Sequence, residues 1–338
     1  MSTNIVSVDF LPDREDDFAE YLSYNSNMVW KNYSLMSNYK QKDKLTESKR
    51  YLKYIKAGWH LFMQRNHISN IIAWQQFHGI FFAFFCHLFH VRKKTTLIIL
   101  TLIYKRKSGL IGIVYEKFMK YALTDKYVDH VVCFSENEIN SYRKIFNLSK
   151  NKYTYLKVAA ESIKGFDCQF REPKYIFSAG YSHRDFDFLI NAVKDTNYKL
   201  IIADDRVSDP NLPNVIIKRG CYGDDMLSLL GNSYVFINPL KDKTISAGHL
   251  MTISAMQLHK PTISTASGGM KPYLVDGSTG FFIENTREEL IEKLNLLYSD
   301  EKLYKNMCEE AFRYGESQFS WQRLAKDVCK IASDNNIF

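Results

Sequence analysis

No Cys-X-X-Cys pair occurs among the six cysteines at 86, 133, 168, 221, 308 and 329 of this 338-residue chain. Neither a zinc site nor a disulfide framework is indicated, and a reducing, cytoplasmic setting fits best. The opening MSTNIVSVDF has no basic segment followed by an apolar run and a small-residue cleavage site, so a secretory signal is not expected. No apolar run is long enough to cross a bilayer: Ile80 to Val91 (IFFAFFCHLFHV) is cut off by Arg92-Lys93-Lys94. There is no internal repeat and no low-complexity segment. No nucleic-acid recognition motif accompanies the positive charge, which makes a nucleic-acid binder the weakest reading.

What is present is a chain of about two domains with enough apolar residues, 46%, for real cores. The charge is uneven. Residues 1–165 hold 25 Lys and Arg against 14 Asp and Glu, and the remainder holds 20 against 23. The first half therefore favours anionic partners, such as acidic lipid headgroups or phosphorylated acceptors. Lys40 to Lys56, basic with interleaved tyrosines, reads as a helix suited either to a membrane surface or to plain solvation. Ile80 to Val91 reads as a buried or half-buried helix, or more sharply as one that dips into a membrane.

In the first half, strands are expected at Ile5–Phe10, Ser69–Trp74, Leu97–Tyr104, Val128–Ser135 and Lys152–Ala160. Helices are expected at Leu110–Tyr127 and Ser135–Phe146. The latter opens as a capping box, with Ser135 at the N-cap and Glu138 three residues on. Asp13 to Tyr39 reads as a long loop with a helix in it. Low apolar content and a charge shift between Glu161 and Pro173 mark the domain boundary.

The second half alternates short apolar strands with helices: strands Tyr175–Ala179, Leu200–Ala203, Val215–Lys218, Tyr234–Asn238, Pro261–Thr265 and Gly280–Ile283, and helices near Asp185–Lys194, Asp224–Leu230 and His249–Leu258. From Arg287 onward the chain reads as helical. That alternation predicts a parallel, doubly wound α/β sheet, with the strand-end loops on one rim. The stretch TISAGHLMTISAMQLHKPTIST is its centre: Ser246, Ala247 and Gly248 let a ligand approach the start of the helix at His249. Unpaired N–H groups and the helix dipole make that start a seat for phosphate. Gly180 allows a tight turn. Arg184, Lys218, Arg219 with Gly220, Lys241 and Lys243 bring cations to successive strand ends, which suits a nucleotide diphosphate.

These residues resemble the donor domain of GT-B glycosyltransferases, nearest the large family 4 group. FSAGYSHRDFDFLINAV, SAGHLMTISAMQLHKPTIST and VDGSTGFFIEN are similar to that group's Gly-Arg…Lys-Gly segment, its loop with Glu-Ala-Met helix, and its Asp-Gly…Thr-Gly-Phe hairpin. VDHVVCFSENEI and SQFSWQRLAKDV are similar to its first-domain strand-helix and its last helix. The resemblance implies two Rossmann-like domains facing across a cleft: residues 1–165 on the acceptor side, 166–318 for the donor, and 319–338 as a helix returning to the first domain.

It also implies transfer of a sugar from a nucleotide-diphosphate sugar, UDP-sugar foremost, to a hydroxyl of a glycan or lipid-linked acceptor. That places the chain in surface-polysaccharide synthesis of bacterial type, on the inner face of the membrane or free in the cytoplasm. Arg184 would stabilise the leaving diphosphate together with Gly248 and His249, without metal or cofactor. Asp9 and His78 are the candidate bases. Ser246 and Ser254 stand where the family carries two glutamates, Tyr181 stands for its Arg, and its active-site His has no counterpart. A non-catalytic GT-B-like partner protein and a nucleotide-sugar epimerase on the same fold are the alternatives.

Overall fold

The computed structural model describes residues 3–9, 17–35, 44–92, 94–166, 172–241 and 247–338. Backbone contacts divide the chain into two units, Met1–Lys157 with Leu324–Phe338, and Val158–Arg323. The chain thus passes between units after Lys157 and again after Arg323, where the sequence reading placed the changes at 165 and 318.

Unit 1 contains a six-stranded parallel sheet of β1 (Thr3–Val8), β2 (Trp30–Ser34), β3 (Ile68–Ala73), β4 (Thr96–Ile99), β5 (His130–Cys133) and β6 (Tyr153–Tyr155), in the order β2-β1-β3-β4-β5-β6. Its helices are α1 (Phe18–Ser26), α2 (Lys44–Met63), α3 (Gln76–Leu88), α4 (Gly109–Ala122) and α5 (Glu136–Ile145). The inner strands are almost unbroken apolar runs, Ile71, Ile72, Ala73, Leu97, Ile98 and Ile99 being wholly buried. That is the composition a parallel sheet acquires when both faces are covered.

Between Asp13 and Tyr39, where a long loop with a helix in it was expected, the described residues form a helix, α1, and also the edge strand β2. Asp17 caps α1, its carboxylate accepting from the Ala19 N–H at 2.8 Å. Ser135 takes the N-cap position of α5, but its side chain makes no capping bond, so the capping box does not form.

Helix α3 packs into the core of unit 1, as its buried or half-buried reading expected. Ile80, Phe82 and Ala83 are fully buried, and Phe81 meets Phe118 of α4 with ring centroids 5.1 Å apart. On its other side α3 packs on α2 at Gly58, where a Cβ would collide with Phe81. Among the described residues no helix is long and apolar enough to cross a membrane.

Unit 2 contains β7 (Tyr175–Ala179), β8 (Lys199–Ala203), β9 (Val215–Lys218), β10 (Val235–Asn238), β11 (Thr262–Thr265) and β12 (Gly280–Ile283), in the order β12-β11-β10-β7-β8-β9 and all parallel. The helices are α6 (Phe186–Val193), α7 (Asp224–Gly231), α8 (His249–Gln257), α9 (Arg287–Ser299) and α10 (Glu301–Phe319). Helix α11 (Trp321–Asp334) begins in unit 2 and passes into unit 1, where Leu324, Ala325, Val328 and Ala332 are fully buried. Both sheets are doubly wound: each strand order reverses direction once, between β1 and β3 in unit 1 and between β7 and β10 in unit 2.

Substituting Gly58→Val drives a branched side chain into Phe81. It should destabilise the chain by about 1–3 kcal/mol, seen as an earlier urea midpoint. An unchanged midpoint would show that α2 and α3 can separate at no cost.

Candidate active site

The carboxyl ends of strands flanking a reversal in strand order are where a doubly wound sheet opens a crevice. In unit 2 that point lies between β7 and β10, and five of the expected residues stand beside it. Gly180, with φ +126, ends β7. The Arg184 guanidinium lies over Gly180, at the place a Cβ would occupy. Its Nε donates to the Ala179 carbonyl at 3.1 Å and its Nη1 to the Ser182 carbonyl at 2.8 Å. The turn carrying it is pinned to the segment after β10: Asp185 N donates to Pro239 O, and Lys241 N to His183 O, both at 3.0 Å. Burial, followed by the charge of Arg206, lowers the Arg184 pKa to about 10, with Asp204 opposing. The group is still a cation at neutral pH.

Across the same point, Gly248 is the N-cap of α8 with φ +94. A Cβ there would collide with the amide of Asn238, the last residue of β10. Asn238 is fully buried. Its Nδ2 donates to Ser264 Oγ at 3.1 Å, while its Oδ1 has no partner. His249, the first residue of α8, stacks on Tyr273 with centroids 4.1 Å apart, and its Nε2 lies 3.1 Å from Gly269 O. Burial lowers its pKa to about 4 against the opposing hydrogen bond at Gly269, and the Arg184 charge adds to the lowering. His249 is therefore a neutral group at pH 7, and Arg184 carries the positive charge. Ala247 is buried beside it.

Other expected residues stand further off. Ser254 is half-buried within α8, roughly 9 Å along the axis from Gly248. Arg219 and Gly220 follow β9, the sheet edge, about 14 Å from β10 at ordinary strand spacing. Arg219 Nη2 donates to Val207 O at 3.1 Å, and Gly220 N to Asp205 Oδ1 at 2.7 Å, so both brace the loop after β8. Lys241 is exposed. It lines a groove of about 590 Å³ with Tyr181, Arg184 and Arg206. Ser246 and Lys243 lie outside the described residues.

The sequence reading missed the side chains of the loop after β8. Arg206 forks onto Asp204, with Nε–Oδ1 at 3.0 Å and Nη2–Oδ2 at 2.5 Å, and its guanidinium lies 3.8 Å from the centroid of the Tyr181 ring. Asp204, Arg206 and Tyr181 thus stand together in the lining of the groove. The signal available was Asp-Asp-Arg at a strand end, directly after IIA.

In unit 1 the reversal between β1 and β3 gathers a second polar cluster. Asp9 follows β1, and its Oδ2 accepts from Gln75 Nε2 at 2.7 Å and from Tyr54 OH at 3.0 Å. His78, in the first turn of α3, is fully buried. Its Nδ1 lies 2.6 Å from Ser7 Oγ and its Nε2 has no partner. Burial lowers its pKa to about 4 against the opposing Asp9 charge. The expectation was of His78 at a strand end open to an acceptor, whereas its ring is enclosed by the core of unit 1. Of the two proposed bases, Asp9 directly follows a strand, and its carboxylate too is buried. Among the described residues no group of three His, Cys, Asp or Glu side chains is placed to hold a metal ion.

His78, His130 and His249 all have folded-state pKa values near 4, with burial the first cause, against about 6.5 when unfolded. Between those values the unfolded chain binds more protons, so stability rises with pH across that window and is lost as pH falls toward 4. The melting temperature should be clearly lower at pH 5 than at pH 7.5, and His78→Gln should flatten the slope. Equal melting temperatures at the two pH values would contradict the assignment.

Residues 170–314 match the family described as Glycosyl transferases group 1. A glycosyltransferase of Methanocaldococcus jannaschii, itself uncharacterized, is 23% identical over 228 residues. The match covers 63% of this chain and 61% of that protein, so the chain spans less than two thirds of its relative's length. Among solved structures, HepE of Anabaena in complex with UDP superposes with a TM-score of 0.65 at 10% identity, covering 99% of this chain and all of that one. Sucrose-phosphate synthase of Thermosynechococcus elongatus gives 0.66 at 12% identity, with 99% of each chain covered. At these identities the likeness is one of fold, and the fold is GT-B.

Proposed function

With a Glycosyl transferases group 1 domain over residues 170–314 of a GT-B chain as the premise, we propose that this protein transfers a sugar from a nucleotide-diphosphate sugar to a hydroxyl acceptor. The observation that carries the reading is the pair of glycine-made openings at the β7/β10 reversal. One is filled by the Arg184 guanidinium and the other by the Asn238 amide, and between them α8 begins at Gly248 without a side chain. A diphosphate seated there would meet a permanent cation on one side and the positive end of the α8 dipole on the other. Both are in place before the sugar–phosphate bond breaks. As the bond breaks, charge builds on the diphosphate, and these fixed groups stabilise it most at that moment.

The UDP bound to the HepE neighbour supports UDP as the nucleotide. The Tyr181–Arg206 face and the Asp204 carboxylate beside it offer a flat, polar wall for the rest of the donor. His249, uncharged, orients by its hydrogen bond at Gly269 and adds no charge. Asp9, held by Gln75 and Tyr54, is the base for the acceptor hydroxyl. The acceptor is a glycan or a lipid-linked sugar of surface-polysaccharide type. No metal enters this scheme, since Arg184 and the helix N-terminus take the part a cation would play.

UDP binding by calorimetry tests the reading. Arg184→Ala should weaken affinity about 10- to 100-fold, the loss of charge-assisted bonds of about 1.5–3 kcal/mol. Gly248→Val should weaken it similarly by pushing the start of α8 off the Asn238 amide, with thermal melting confirming that both variants fold. Equal UDP affinity in the wild type and both variants would remove the diphosphate from this seat.

A further inference from the structure

Helix α4 turns an aliphatic face to solvent. Gly112, Met119 and Ala122 face inward and are buried. Leu110, Ile111, Ile113 and Val114, clustered on the opposite side, are 54–81% exposed, and Ile103 just before the helix is 59% exposed. Large side chains exposed in a group mark a surface that meets something. The preceding loop brings Lys105, Arg106 and Lys107 to the same place, all exposed, and Lys117 continues the face one turn on. Gly112 makes this arrangement possible, because a Cβ there would collide with the Lys107 carbonyl. The acidic residue nearby, Glu116, is already paired with Lys120 at 2.7 Å and Arg106 at 3.6 Å.

The face continues onto α2. The Lys107 ammonium lies 4.8 Å from the Tyr115 ring centroid and 5.9 Å from that of Tyr51. From Tyr51 an exposed stripe of Leu52, Ile55, Trp59 and Met63 runs along α2 at helical spacing, flanked by the exposed Lys49 and Lys56.

We propose that this face of unit 1 docks on the surface of a bilayer containing anionic lipid. The aliphatic tips would enter the headgroup–acyl boundary and the lysines would meet the phosphates. The composition decides the occupant. Protein interfaces are depleted in lysine at their centre and enriched in aromatic residues and arginine. Here lysines are interleaved with aliphatic side chains and Trp59 stands among them, the pattern of helices that lie in a membrane interface. The start of α4 lies at the carboxyl edge of the unit 1 sheet, since α4 follows the loop after β4 as Asp9 follows β1, and the α2 stripe runs from there toward β3. Docking therefore lays this helical side of unit 1 on the lipid surface. It does not rest on the donor reading, because UDP binding and vesicle binding can fail separately.

Co-sedimentation of the full chain with phosphatidylcholine vesicles, with and without phosphatidylglycerol, tests the proposal. Binding is expected to the phosphatidylglycerol vesicles and to weaken as salt is raised. The double substitution Leu110→Ser/Ile111→Ser should lower partitioning at least about tenfold, and Lys105→Gln about fivefold, with UDP affinity and melting temperature unchanged in both. The proposal is overturned if the wild type stays in the supernatant at low salt, or if the double variant partitions like the wild type. It is equally overturned if the wild type sediments as a dimer that the double substitution dissolves, which would make the face a contact between copies.

Discussion

Two absent methyl groups govern the arrangement of unit 2. At Gly180 the missing Cβ leaves room for a guanidinium to lie against the end of β7, and at Gly248 it leaves room for the Asn238 amide beneath the start of α8. Both residues also adopt positive φ, which a side chain would resist. The strand order reverses between these two positions, so one backbone crevice has a buried cation on one flank and a helix N-terminus on the other. The buried Oδ1 of Asn238, without a hydrogen-bond partner, marks the same spot as polar and incomplete. An unpaired buried acceptor costs on the order of 1–3 kcal/mol, and such a cost is commonly kept where a ligand is handled.

Unit 1 repeats the device with different chemistry. Its reversal, between β1 and β3, collects a carboxylate, a phenol, an amide and a neutral imidazole. A carboxylate fixed by two donors is oriented, and an imidazole sealed from water is held uncharged. One unit thus presents fixed positive charge at its strand ends and the other an acceptor of protons.

Much of this was legible from residue order. In unit 2 β7, β9 and β12 are short apolar runs that stop at a small or polar residue, and they fall where the alternation put them. Edge strand β2 was not legible, because WKNYS has one buried residue and polar neighbours on an exposed edge. The overlong reading of β4 has a specific cause. Leu100 and Leu102 are buried and their N–H groups bond to Ala73 and Val132 carbonyls, so the chain stays apolar after it has left the ladder. Ile103 continues the apolar run yet points to solvent. Arg184 could be read by type and spacing. The Tyr181–Arg206 stack could not, because it joins loops after two different strands. The enclosure of His78 follows from α2 and α3 closing over it, which no local pattern announces.

The last fifteen residues carry a consequence for how the protein is made. Leu324 to Phe338 complete unit 1, with Val328 and Ala332 buried there and the Phe338 ring 5.3 Å from Trp30. In the order of the chain they come after the whole of unit 2. For the time unit 2 is being synthesised, the older half of the polypeptide waits with an unsealed apolar seam, and only the arrival of Leu324 to Phe338 closes it. Newborn chains are therefore open to chaperone capture or aggregation across that interval, and unit 1 is finished by a closing step that waits on its partner's synthesis.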